Sequence, residues 1–163
     1  MELHGLLHTF PKHIKLFIAA FVIMLTVGYG SGLLFVGNTN SNNPNGMEEN
    51  YLGNEEDENA EVMKFKKGER EMLTLLHTHV ISISFIFFFI GGLVAMTSLP
   101  KKLKTFLMIE PFLSILLTFG GIYLLWKGIL WMKYIVMLSG IVMTIVFVVS
   151  VISILFQLSK KAK

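Results

Sequence analysis

The stretch EMLTLLHTHVISISFIFFFIGGLVAMTSLP, residues 71–100, decides the fold. From Leu73 to Leu99 it carries no charged side chain, and about 20 apolar residues in a helix suffice to cross the hydrocarbon core of a bilayer. The run predicts a transmembrane helix over 72–99, with His77 and His79 in its first turns. Any chemistry assigned to the chain has to account for those two imidazoles.

The composition agrees with a membrane-embedded chain. Of 163 residues, 53% are hydrophobic and only 15% charged, too apolar for a soluble domain of this size. The formal charge of +3 points to the bilayer rather than to nucleic acid, because the basic residues flank apolar runs, where they set topology. With no cysteine, disulfides, thiolate metal sites, iron–sulfur clusters, covalent haem attachment and cysteine nucleophiles are excluded.

Three further apolar runs follow the same logic. The first spans 14–36, is preceded by Lys12 and Lys15, and lacks an A-x-A cleavage site, so it is expected to be retained as an anchor. Its Gly28 and Gly32 form a G-xxx-G pair suited to close approach of another helix. The others cover 105–126 and 134–158, and the chain closes on a basic tail over 159–163. Ahead of the first span, residues 1–13 place Leu3, Leu6, Leu7 and Phe10 at helical spacing before Pro11, which predicts an amphipathic segment in the interface. His4 and His8 on it are an i, i+4 pair without a third ligand nearby.

The fold expected is all-α: four transmembrane helices in an antiparallel bundle, with one long exported loop between the first and second. That loop, 37–71, holds nine acidic residues against four basic ones. Its first part, rich in asparagine, reads as a linker; its second interrupts the polar run with Tyr51-Leu52-Gly53-Asn54. Tyr51, Leu52 and Asn54 are therefore the candidate partner-binding residues. Eight lysines (Lys12, Lys15, Lys101, Lys102, Lys104, Lys160, Lys161, Lys163) fall on one side of the four spans. By the positive-inside rule both termini are cytoplasmic, as in a bacterial inner-membrane protein. Tyr29, Tyr123, Trp126, Trp131 and Tyr134 are expected to form a belt at the outer interface.

Polar groups inside the spans are the remaining candidates. His77 and His79, two residues apart, point about 200° apart on a helix and cannot share one metal. The stripe His77, Ser84, Phe88, Gly91, Ala95 contains small residues suited to helix packing, which predicts His77 as the inward one. A histidine in a membrane helix also suits b-type haem or copper. His4, His8 and His13 lie across the bilayer, so a second ligand would be Met137 or His77 of another subunit. Glu110 is the one acidic residue within a span, near enough to the cytoplasmic end to reach water or pair with Lys101 or Lys104. It continues into Ser114, Thr118 and Gly121 on one face, opposite a seam of Ser139, Ser150, Ser153 and Gln157 on the last helix. No nucleophile motif, phosphate loop or carboxylate pair accompanies it.

Tyr51-Leu52-Gly53-Asn54, Met63-Lys64-Phe65-Lys66-Lys67, His77-Thr78-His79 and the segment from Lys104 to Pro111 together resemble a group of small, uncharacterised bacterial four-helix inner-membrane proteins. The resemblance implies the fold from Tyr29 onward and carries no activity. The expected function is a non-enzymatic accessory or interaction subunit of a membrane complex, or a homo-oligomer. The alternatives are a redox or metal-binding subunit at His77 and His79, and a small proton-coupled transporter using Glu110.

Overall fold

A computed structural model describes residues 4–55 and 62–160. It is all-helical. A 3-10 turn, Leu6–Thr9, precedes α1 (Lys12–Asn38), α2 (Pro44–Leu52), α3 (Glu69–Ala95), α4 (Lys101–Trp126) and α5 (Met132–Ser159). α1, α3, α4 and α5 are each long and apolar enough to cross a membrane, and a helix is a form in which backbone polar groups are satisfied inside lipid.

Local sequence sets the ends. Pro11 and Pro100 stand immediately before α1 and α4 in extended conformation, where a residue without an N–H costs no helical hydrogen bond. α3 stops at Ala95, four residues short of the expected end. There Thr97 Oγ1 bonds Val94 O at 2.7 Å, and Pro100 disfavours helical geometry at Leu99. Pro111 lies inside α4 and leaves the Leu107 carbonyl without its helical donor.

α4 is the centre of the bundle, packed between α3 and α5. Gly121 permits its closest approach: a Cβ there would stand 2.7 Å from Val136 Cγ2. The core holds a three-ring cluster in which Tyr29 stacks on Phe147 at 4.1 Å between centroids and Phe87 meets both edge-on. Tyr29 thus belongs to the interior, not to the aromatic belt. Its ring is anchored because its hydroxyl finds Thr144 Oγ1 at 3.1 Å, giving a phenol in the bundle the partner it needs.

α1 is held differently. Val22 is its one buried residue, and Ile18, Leu25 and Tyr29 continue the same seam as partly buried contacts. It leans chiefly on α5.

Both ends of the bundle are capped by the chain itself. At the end where the termini lie, the N-terminal turn docks instead of floating as an interfacial helix: Gly5 N donates to Thr97 O at 3.2 Å and Leu7 N to Met96 O at 3.3 Å. Lys104 Nζ donates to Ala95 O and Thr97 O at 3.1 and 3.0 Å. The physical reason is that the last carbonyls of α3 have no helical partners and need donors; Leu7, fully buried, fills the space beneath. At the opposite end α2 lies across α4 and α5, with Glu48 paired to Lys133 at 2.5 Å and Glu49 to Lys64 at 3.2 Å.

Candidate functional site

The polar seam between α4 and α5 is built by register. Thr118 and Ser139 hydroxyls meet at 2.7 Å, and Ser139 also donates to the Ile135 and Val136 carbonyls. Counting antiparallel from that pair, Ser150 on α5 stands level with Leu107, one turn from Glu110 on α4. Glu110 is half-buried. Ser114, which is buried, donates its hydroxyl to Glu110 Oε1. Glu110 Oε2 and Ser150 Oγ are enclosed without hydrogen-bond partners among the described residues.

The expected pairing of Glu110 with Lys101 or Lys104 does not occur. Lys104 is drawn instead to the carbonyls at the end of α3, and Lys101 is exposed a full 9 residues before Glu110. Among the described residues the ion pairs are Lys64–Glu49, Lys67–Glu71 and Lys133–Glu48, all at the opposite end. Chemically, the seam offers one carboxyl and several hydroxyls for hydrogen bonding inside the bundle.

Both histidines are exposed on α3, so His77 is not the inward one that its stripe predicts. His79 Nδ1 lies 2.8 Å from Leu75 O and its ring sits 5.5 Å from that of Phe119 on α4. The buried face of α3 runs through Met72, Phe87, Ile90, Gly91 and Val94, between the two histidine stripes; Phe88, on the stripe of His77, is 66% exposed. Bulky aromatic packing on Phe147 and Tyr29 outweighs the small residues that favoured the other face. By the antiparallel counts Met137, half-buried on α5, shares the depth of His79. No group of three or more histidine or acidic side chains that would hold a metal occurs among the described residues.

At the acidic cap, Tyr51-Leu52-Gly53-Asn54 is a latch onto the chain's own 62–67 segment. Asn54 N donates to Lys64 O at 3.0 Å, while Asn54 Oδ1 accepts from Lys64 N at 2.6 Å and Nδ2 donates to Val62 O at 3.0 Å. Lys67 N donates to Tyr51 O, and Trp126 Nε1 to Lys67 O at 2.8 Å. Tyr51 is buried, and burial pushes its phenol up to about 12; Leu52 is half-buried. Gly53 has φ +86°, and its missing Cβ is what lets residues 64–66 pass. The sequence reading missed α2, although Asn43-Pro44 was a start signal: the Asn43 side chain accepts from Gly46 N at 2.8 Å and Pro44 occupies the first turn. The most acidic part of the loop, 56–61, lies outside the described residues.

Four apolar helices, a hydroxyl seam inside them and chain-built caps at both ends define a multi-pass membrane protein of the helical-bundle class. A family model for a transmembrane helical domain, Aq_1264_TM, matches residues 41–163, and the chain belongs to that family. The match takes in α2 to α5 and leaves α1 outside it. Neither a curated protein nor a solved structure matches the chain.

Proposed function

We propose that the protein is a non-enzymatic accessory subunit of a bacterial inner-membrane complex, with both termini cytoplasmic and the acidic cap exported. One observation carries the reading. α1 is a complete span that buries a single residue, Val22, against its own chain, and Cβ atoms built at Gly28 and Gly32, exposed on one face, meet nothing within 4 Å. Small residues facing outward on a membrane helix allow another helix to approach backbone to backbone, and here the chain's own helices leave that face open. The lysine distribution supports the orientation. With Tyr51 and Asn54 engaged in the latch, the part of the cap left for a partner is its exposed outer surface.

Because the chain has no cysteine, single-cysteine variants give the test directly. Gly32→Cys in native membranes is expected to cross-link to a partner helix or a second copy, and Gly28→Leu is expected to abolish that product with the bundle still folded. A Gly32→Cys chain that stays uncross-linked and monomeric in its own membrane would sink the reading. A second reading has one observation in its favour: His77 is exposed on α3 and makes no side-chain hydrogen bond among the described residues, which suits a haem or copper ion shared with His77 of another subunit. A reduced-minus-oxidised visible spectrum that loses its band in His77→Ala would establish it.

A further inference from the structure

Between α1, α3 and α4, near the end where the termini lie, is a crevice of about 530 Å³. Its walls are apolar and largely aromatic: Phe17 and Phe21 from α1, Phe88 and Gly92 from α3, Met108 and Phe112 from α4. It exists because α1 leans chiefly on α5. The T-shaped contact of Phe21 with Phe89, 5.7 Å between centroids, joins α1 to α3 beside it. We infer that this crevice binds an anionic phospholipid, its acyl portion between the aromatic walls and its phosphate between His13, Lys101 and Lys102.

The α3 wall runs from Phe87 to Met96, about 13.5 Å along a helix axis. That is close to half of a hydrocarbon core about 30 Å thick, so the crevice matches the acyl chains of one leaflet. Gly92 keeps it open, since a Cβ there would touch nothing within 4 Å.

The headgroup assignment comes from helical register. Lys101 and Lys102 precede Met108 and Ile109 by seven residues, and His13 precedes Phe17 by four, so all three stand under the lining residues on the same helix faces. All are exposed. Seven residues are about 10.5 Å, which sets the charges at the membrane surface when Met108 lies among acyl chains. No acidic residue among the described ones lies at that end: Glu48, Glu49, Glu55, Glu69 and Glu71 are at the other, and Glu110 faces the seam. Lys15 and Lys104 are excluded from the site, because Lys15 Nζ donates to Lys160 O and Lys104 to the end of α3. Basic clusters between membrane helices are recognised headgroup sites.

The experiment reconstitutes the full chain into equal mixtures of phosphatidylglycerol and phosphatidylcholine and counts retained lipids by native mass spectrometry. One phospholipid is expected to remain, with phosphatidylglycerol preferred by about fivefold for each lysine. The exposed double variant Lys101→Gln/Lys102→Gln should bring the ratio near parity without loss of folding. Gly92→Leu should expel lipid of either headgroup, with its thermal unfolding in the same vesicles confirming a folded bundle. Parity in the wild type, an unchanged ratio in the lysine variant, or undiminished lipid in folded Gly92→Leu would each overturn the assignment. So would a Phe88→Cys chain that cross-links to a second copy in place of the bound lipid.

Discussion

Replacing Gly53 by alanine tests whether the acidic cap is a folded latch or a solvated loop. Gly53 has φ +86° and ψ 176°, a region open almost only to glycine and costing about 1–3 kcal/mol for other residues. A Cβ would also stand 2.8 Å from Lys66 N, 2.9 Å from Lys64 O and 3.1 Å from the Phe65 carbonyl carbon. These are backbone atoms that no rotamer change removes. The 64–66 segment must therefore move away, and the Asn54 N to Lys64 O and Lys64 N to Asn54 Oδ1 bonds are lost at about 1 kcal/mol each. The sum is about 3–5 kcal/mol, directed at the cap and not at the spans. It should appear as local opening: amide exchange at Lys64 and Lys67 accelerates by a hundredfold or more in Gly53→Ala, at about 1.4 kcal/mol per factor of ten. Protection in α4 and α5 around Thr118 and Ser139 stays unchanged. Wild-type exchange at Lys64 in the variant would refute the latch, and so would equal acceleration throughout the bundle.

Two further perturbations address the interior and the cap. Ser114→Ala removes the one donor to Glu110 among the described residues and should destabilise the bundle by about 1–3 kcal/mol, read as a lower unfolding temperature in nanodiscs; Glu110→Gln in the same background should recover most of that loss, since an amide is less costly to leave in lipid than a charged carboxylate. For Tyr51, burial raises the folded-state phenol to about 12 from about 10 in the unfolded chain. The raised value means that the stabilising contribution is whole below about pH 10 and is lost as pH climbs through 10 to 12. A phenolate absorbance titration should lose a late-ionising component in Tyr51→Phe relative to the wild type.

The spans were legible because lipid imposes a single requirement, a long uncharged helix, and residues 71–100 meet it without ambiguity. The side of each span that packs was harder to read. In a soluble helix the polar face marks the outside, but in α3 both candidate stripes are apolar, and lipid is as good a neighbour as protein for Phe88 or Ile90. The choice of His77 over His79 rested on small residues, while packing is decided by rings contributed from α1 and α5, which no local spacing reveals. Tyr29 was misplaced for the same reason: its partners Thr144 and Phe147 lie more than a hundred residues away. The hydroxyl seam was readable because Thr118 and Ser139 need each other in a medium that offers no water. The cap was partly readable, through Asn43-Pro44, but its closing contacts depend on one glycine dihedral.

The division between α1 and the rest bears on how the molecule works. Residues 41–163 carry the family domain, and within them α3, α4 and α5 are bound by interlocking contacts, a hydroxyl pair and the Gly121–Val136 approach. α1 adds one seam of side chains and two hydrogen bonds, between the Tyr29 and Thr144 hydroxyls and from Lys15 Nζ to Lys160 O. In water so little burial would leave a helix of this length detached, but in a bilayer no hydrophobic penalty attaches to its exposed side, and modest van der Waals packing is enough to hold it in place. The same weakness frees two parts of one α1 stripe that a tightly packed fourth helix would consume: Gly28 and Gly32 toward a partner and, about two turns nearer the N-terminus, Phe17 and Phe21 over the crevice. Both depend on Tyr29 as the pin, so Tyr29→Ala should loosen lipid retention and partner cross-linking together while leaving the Thr118–Ser139 seam protected from exchange. Loss of one with full retention of the other would show that the two parts of this stripe are not governed by a common anchor.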